Sequence, residues 1–424
     1  MKNSRRSFMR HLVGAGSMLV AGAARSANDV PSWVPPPKTF AEFTLNTPAS
    51  VGANVAFLAN WCGGTFIRDY GPYGGAAYHG GGEHYSWPDA GGVLMLNCAT
   101  RRYEMRCLPA VRTHMGVAGE KGSPTNQWGA YADDDYPQMK HTYNGLSEMP
   151  AAWGGGPSGS LVRVAHTGGL LLVPDGKRTH GYSSTYRFDL SHATNGHSRL
   201  TGERKYDFGS GKPATVNDSI GCGMDSLREG WWAFARTGSG HGDRMCFTHR
   251  TGRVDNAATP PIQLLWGTVH HFADDDTLVA IAGGAPGQIV ISHPGAAWSR
   301  VNVEGDAADL DSFQKTYLGY VGFKWSTLLQ CFVGLDLRSQ PGGPASVRLW
   351  KIVPPTLASQ RLLTPWRVLS ETLTSADGSQ INLRSDAGSV NGAFGRLVEC
   401  PALRAFVWTR GVQNKGQLLR PSEA

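Results

Sequence analysis

Charge is scarce in this sequence: Asp, Glu, Lys and Arg together make up 17% of 424 residues. Disordered chains combine low hydrophobicity with high charge, so that class is excluded. No apolar run approaches the roughly 20 residues that span a bilayer. No Lys/Arg run occurs beyond residue 26, which removes nucleic acid from the expected partners. The seven cysteines, at 62, 98, 107, 222, 246, 331 and 400, contain no C-x-x-C pair, so a zinc ribbon is excluded. No serine occupies a G-x-S-x-G elbow, which argues against an ordinary serine hydrolase. The acidic runs Asp133–Asp135 and Asp274–Asp276 lack the spaced oxygen ligands and glycine of a calcium loop. The second run is expected to be a hairpin turn, a place that suits Asp.

What the sequence has in quantity is glycine (55) and tryptophan (13). Glycine costs roughly 1 kcal/mol per helix position, so a helical bundle is disfavoured and an all-β chain with many turns is expected. Residues 304–313, "EGDAADLDSF", read as a loop or a short helical turn.

Much of the formal charge of +7 sits at the N-terminus. Ser4-Arg5-Arg6-Ser7-Phe8-Met9-Arg10 resembles a twin-arginine export motif. A weakly apolar run from Leu12 to Ala24 follows, then small residues at cleavage spacing in Ala24-Arg25-Ser26. That resemblance implies a signal peptide over 1–26, passage through the twin-arginine translocase, and a periplasmic or extracellular product not inserted in the membrane. Without residues 1–26 the chain holds 35 basic against 33 acidic residues, close to neutral. In an oxidising compartment disulfides can form; Cys98 with Cys107, then Cys222 with Cys246, are the candidate pairs, an odd count leaves at least one thiol over, and small buried hydrophobes are the alternative role.

Residues 27–38, ending in "PSWVPPPK", read as a stiff linker. The stretch 39–47, "TFAEFTLNT", alternates apolar and polar residues and is an expected strand. From there a coarse unit repeats at irregular spacing. Its strands are, for example, "NVAFLANW", "GGAAYHGG", "GGVLMLN" and "RYEMRCL" in the first unit. Four-strand units at such periods point to a β-propeller over 39–424. Six four-stranded blades are expected, or seven if 108–160 hides another. The last unit, "GAFGRLVECPALRAFVWTRG" with "GQLLRPS", lacks a fourth strand, which 39–47 can supply. Such closure removes two open sheet edges. A pair of β-sandwich domains is the alternative.

The stretches "YHGGGEHYSW", "KHTYNGL", "STYRFDL" and the closing unit resemble kelch-type, galactose-oxidase-like propellers of bacterial exported proteins. The trailing tryptophan of that family is met by Trp298 and Trp366; Tyr103 and His197 stand in its place in the first two units. The resemblance implies the fold but leaves function open among oxidases, lyases, epimerases and binding scaffolds.

In "YHGGGEHYSW" the glycines lead to Pro88 and a strand rather than a helix N-terminus, so the stretch is not a phosphate loop. Glycines at the end of an inner strand let backbones approach closely, placing His84 and Tyr85 beside the axis. His141 and Tyr143, His180 and Tyr182, His241 and Arg244, and His271 recur at comparable points. A shared pocket of histidine, tyrosine and arginine suits an acidic sugar. Arginine can neutralise a carboxylate, and histidine or tyrosine can carry a proton. The catalytic set expected for a lyase-type β-elimination is His84 or His141 as base, Tyr182 as acid and Arg244 on the carboxylate. Tyr85, Tyr143, His180, His241 and His271 are expected to bind. The competing expectation is a non-catalytic glycan- or protein-binding scaffold, with the histidines serving strand ends. Imidazoles could also hold zinc or copper; no metal site is assigned. Trp61, Trp87, Trp128 and Trp153, near glycine-rich loops, suit either sugar stacking or core packing, of which packing is favoured.

Overall fold

The computed structural model describes residues 30–44, 62–79, 92–108, 142, 144–172, 178–200, 204–206, 221–236, 243–262, 267–282, 288–317, 322–336, 345–381, 396–409 and 415–422. The signal segment 1–26 lies outside them. The described chain is all-β apart from one eleven-residue helix and short 3-10 turns.

Strand β1 (Thr39–Thr44) precedes a meander of β2 (Gly63–Ile67), β3 (Gly75–His79), β4 (Val93–Asn97) and β5 (Arg102–Arg106), paired in that order. A second sheet holds β6 (Leu146–Met149), β7 (Ser160–Leu172) and β8 (Arg178–Asp189), with β9 (His197–Arg199) and β10 (Arg204–Tyr206) both on β8. The third runs β11 (Gly221–Asp225), β12 (Gly230–Arg236), β13 (Asp243–His249), β14 (Val254–Ala257). The fourth runs β15 (Thr268–Phe272), β16 (Thr277–Ile281), β17 (Ile289–Ser292), β18 (Ser299–Arg300). Then come β19 (Val303–Gly305) and helix α1 (Ala307–Tyr317). Strands β20 (Lys324–Ser326), β21 (Cys331–Leu335), β22 (Ser346–Val353) and β23 (Trp366–Ser375) form an antiparallel meander. Strands β24 (Val398–Cys400), β25 (Ala405–Thr409) and β26 (Lys415–Arg420) form the last.

Strand β1 pairs antiparallel with β26 over six residues, Thr39 opposite Arg420 to Thr44 opposite Lys415. It is thus the fourth strand of the last meander, the pairing expected for 39–47. Two residues of β1 also pair parallel with β23, which fuses the last two meanders into one nine-stranded sheet.

Strand sequences reflect how deeply each strand is packed. Middle strands such as β16 (Thr-Leu-Val-Ala-Ile) and β25 (Ala-Phe-Val-Trp-Thr) are buried along their whole length. Both their faces meet a neighbouring sheet, so the apolar run is continuous rather than alternating. Strand β23 sits outermost in its meander and alternates buried with exposed positions. The apolar clusters lie between successive sheets. Ile67, Ala77 and Met95 pack with Leu161, Tyr186 and Phe188. Tyr78, Leu94 and Leu96 pack with Val398, Val407 and Leu418, which seals the first sheet against the last.

The first strands of successive sheets also touch: β24 with β2, β2 with β6, β6 with β11, and β11 with β15. From β15 to β20 the link is His270, stacked on Trp325 with centroids 4.7 Å apart. From β20 to β24 it is the Ser326 hydroxyl, which donates to Glu399 Oε1 at 2.7 Å. The succession returns to its start, so these inner strands surround an axis. Their approach is close: a Cβ on Gly223 of β11 would lie 2.3 Å from the Val269 carbonyl oxygen of β15. Only glycine permits that spacing.

The stretch "NVAFLANW" lies outside the described residues; the first strand of the first sheet is Gly63–Ile67, whose glycine pair weakens its sequence signal. Two expectations need correction. Residues 307–317 form a full helix, with Leu310 buried, rather than a loop or short turn. The expected cysteine pairs do not meet. Cys98 and Cys107 follow opposite ends of the β4–β5 hairpin, and Cys222 and Cys246 are separated by β12, each opposite Ala233. Among the described residues no helix is long and apolar enough to cross a membrane.

Candidate functional site

The inner strands enclose a cavity of about 570 Å³. Its walls include Thr65, Phe66 and Arg68 from β2 and the turn after it, Ser147 and Glu148 from β6, and Met224 from β11. Lys324 and Trp325 from β20, Thr327 beyond it, and Val398 and Glu399 from β24 form the rest of the wall, with Tyr73 at one side and no residue of β15. Phe66, Tyr73 and Trp325 are each only partly buried and line the cavity, Trp325 with its ring stacked on His270.

Most of the polar wall is internally compensated. Arg68 holds Glu148 through its Nε at 2.8 Å, through a guanidinium terminal nitrogen, and through its backbone N–H at 3.2 Å. Glu399 accepts from Ser326, from Thr327 N–H at 2.9 Å and from Leu328 N–H at 2.8 Å, which caps the β20–β21 turn. These two carboxylates tie neighbouring sheets together. Lys324 is different. Its ammonium reaches across the axis to the Gly64 carbonyl of β2, past the intervening β24 meander. Among the described residues it has no carboxylate partner. Protein surrounds it densely while its side chain still lines the cavity. Burial pulls its pKa down to about 8; the nearby Cys62 and Cys222 thiols, as thiolates, would raise it. Both thiols are themselves pushed up to about 12 by burial, so they are neutral in the physiological range.

His79, at the end of β3, is fully buried. Its Nδ1 lies 3.2 Å from the Gly92 carbonyl and its Nε2 lies 3.3 Å from an Arg163 nitrogen. Burial, then the Arg163 charge, lowers its pKa to about 3, so the ring is neutral.

Of the residues expected from sequence, His84, Tyr85, His141, Tyr143 and His241 lie outside the described residues. His180 and Tyr182 have described backbone in β8, and Arg244 in β13. Tyr182 pairs with Gly168 and Lys205, and Arg244 with Ala235. Within the antiparallel third and first sheets, β13 starts at the end where β11 starts, and β3 ends where β2 starts. Arg244 therefore lies in a strand at that end of the third sheet.

His271 belongs to the other end, next to the β15–β16 turn. It is buried, with Nε2 2.8 Å from Asp276 Oδ1 and Nδ1 3.3 Å from Asp225 Oδ1. Arg228 donates to Asp225 at 2.8 Å and to both Asp276 oxygens at 2.6 Å. Hydrogen bonding to Arg228 lowers the Asp276 pKa to about 2. Asp225, His271 and Asp276 form a group whose ligand atoms could meet on a cation. The guanidinium already among those atoms opposes a second positive charge, so the group reads as an ion-pair joint between two sheets. The Asp274–Asp276 run is a turn, its acids bound by Arg361 and Arg228. Trp153 is buried against Trp231, consistent with packing.

Sequence reasoning missed Lys324. The signal that could have found it is a lysine opening an otherwise apolar inner strand, "GFKWS", where a buried charge requires a purpose or a partner.

No protein-family model matches the chain, and no curated protein matches it. Among solved structures it is similar to a DUF4623 family protein from Bacteroides eggerthii: 8% identity, 89% of this chain and 74% of the other, TM-score 0.42. It is also similar to an exo-β-1,3-galactanase from Phanerochaete chrysosporium, at 9% identity, 77% and 65% coverage and a TM-score of 0.32. A GH43 endo-arabinanase from Bacillus licheniformis follows, at 11% identity, 73% and 92% coverage and a TM-score of 0.28. Scores this low carry no argument about what the chain does.

Proposed function

We propose that residues 39–424 form a single six-bladed propeller, closed by β1 in the last blade, and that it binds a carbohydrate in its axial cavity. The observation that carries this reading is the cavity of about 570 Å³, where Phe66, Tyr73 and Trp325 alternate with hydroxyls and charged groups. Ligand pockets of this size combine apolar walls with a few placed polar groups. Aromatic faces suit the C–H faces of sugar rings, and the hydroxyls of Thr65, Ser147 and Thr327 suit ring substituents. The twin-arginine-like N-terminus supports export, which gives the protein access to polysaccharide outside the inner membrane.

Chemistry belongs to a finer reading: lyase-type β-elimination of a uronate polymer by His84 or His141, Tyr182 and Arg244. A non-catalytic binding scaffold is the reading it must beat. The purified chain, freed of residues 1–26, is mixed with neutral and uronate oligosaccharides, and binding is followed by Trp325 fluorescence and calorimetry. Binding that falls at least tenfold in Trp325→Ala supports the cavity. New ultraviolet absorbance from an unsaturated uronate, lost in His141→Ala, supports the lyase. Binding without turnover leaves the scaffold, and no binding to any glycan removes the carbohydrate reading.

A further inference from the structure

A buried ammonium with no carboxylate in reach is costly, because desolvation is not offset by a countercharge. Lys324 is half-buried with its ammonium closely surrounded by protein, has no carboxylate bonded to it among the described residues, and stands in the wall of a cavity rather than in a packed core. The acids that line the same cavity are already occupied: Glu148 by Arg68, and Glu399 by the β20–β21 turn. Among the described residues, Lys324 is thus a cation of the cavity wall with no acid bonded to it, while the Glu399 charge is held by neutral donors at the β20–β21 turn.

We propose that Lys324 is the specificity residue of the axial cavity and pairs with a carboxylate on the ligand, so that the preferred ligand is a sugar acid. The inference rests on the carbohydrate reading given above. A carboxylate entering from the axis replaces the Gly64 carbonyl as the main partner of the ammonium and supplies the missing charge. The aromatic walls then take the sugar faces, and Thr65 and Thr327 remain for hydroxyls.

Binding should carry a pH signature. The amine must be protonated to hold the anion, and its pKa in the free protein is about 8. Uronate affinity is then flat below that value and falls as pH rises through it. The other groups facing Lys324 do not titrate there. The Cys62 and Cys222 thiols stay protonated to about 12. Arg68 and Glu148 remain paired, and Arg396, whose charge acts on Cys62, is pulled down only to about 10.

The test compares a trimeric uronate with its neutral trisaccharide counterpart by calorimetry, on wild type, Lys324→Met and Lys324→Arg. The expected result is a uronate preference of tenfold or more, erased in Lys324→Met with neutral-sugar affinity kept, and partly retained in Lys324→Arg. If Lys324→Met fails to fold, the wild-type preference measured from pH 6 to pH 9.5 decides, and a flat ratio overturns the proposal. Equal binding of neutral and acidic sugars overturns the proposal but leaves the carbohydrate reading standing. Absence of binding by both sugars overturns both.

A separate observation concerns the seam where the first and last sheets meet. Cys98, just after β4, and Cys400, the last residue of β24, are both buried with their sulfurs 3.5 Å apart. They sit 302 positions apart in sequence and in one apolar cluster. We infer that these two thiols form a disulfide that locks the closed ring. Each thiol gives up a proton and the pair gives two electrons to a disulfide oxidant, which is reduced to two thiols. Bonding requires the sulfurs to close from 3.5 Å to about 2.05 Å. The chain is folded in oxidised glutathione, digested without reduction and mapped by mass spectrometry. A peptide joining Cys98 to Cys400, with a higher melting temperature that dithiothreitol and Cys98→Ser both abolish, is expected. Both thiols recovered free, or bonded elsewhere, would overturn it.

Discussion

His79 is a buried imidazole and His270 a half-buried one packed against Trp325, and the pKa of each is lowered to about 3, chiefly by desolvation. In the unfolded chain each takes a proton near pH 6.5. The unfolded state therefore binds more protons between about pH 6.5 and pH 3. Stability is intact above that window and is lost as pH falls through it. Two such groups set a slope of about 2.7 kcal/mol per pH unit in mid-window. His79→Gln is expected to halve that slope, measured by urea unfolding at a series of pH values. The joint at Asp225 is a second residue-scale case. This carboxylate is fully buried and holds Trp232, Arg228 and two backbone N–H groups. Asp225→Ala strands those donors and the facing His271, at a cost of about 2–4 kcal/mol in denaturant unfolding. None of this was legible from the residue alone. In the sequence His270-His271 looks like one doublet, yet alternation along β15 sends the first onto Trp325 and the second into the carboxylates.

At the scale of the element, sequence patterns located strands wherever apolar runs met turn residues. The hairpin in "TVHHFADDDTLVAI" appears where turn chemistry puts it, and "VECPALRAFVWT" pairs β24 with β25. The inner strand "GGTFI" was the weak point, because it trades side chains for glycine, whereas "GCGMD" was read as a strand despite its glycines. What their glycines serve is close approach, which no local pattern encodes. Gly223→Ala drives a Cβ to 2.3 Å from the Val269 carbonyl and must push β11 from β15. A loss of roughly 1–3 kcal/mol in thermal or denaturant unfolding is expected. Strand β1 gives the complementary test. Phe40 is wholly buried in the cluster spanning the last sheets, and the strand covers the edge of β26. Phe40→Ala should cost about 3–5 kcal/mol. Deleting residues 39–44 exposes that edge and should produce aggregation, seen by light scattering.

For the whole molecule, the inner strands form a closed succession and the last sheet borrows its outer strand from the start of the chain. A ligand in the axial cavity touches several sheets at once and so binds only the closed state. At a hundredfold excess over its Kd it should add about 2.7 kcal/mol to unfolding stability, readable as a raised melting temperature.

The all-β class, the order of most strands and the closing role of the segment 39–47 were legible in the chain. They follow from periodicity and turn chemistry, which act over a few residues. That Lys324 lines the cavity with no carboxylate bonded to it among the described residues, that Cys98 faces Cys400, and that His271 lies between two acids were legible in the folded molecule alone. Each depends on which sheet comes to lie beside which, and that distance is set by packing between segments up to 302 residues apart.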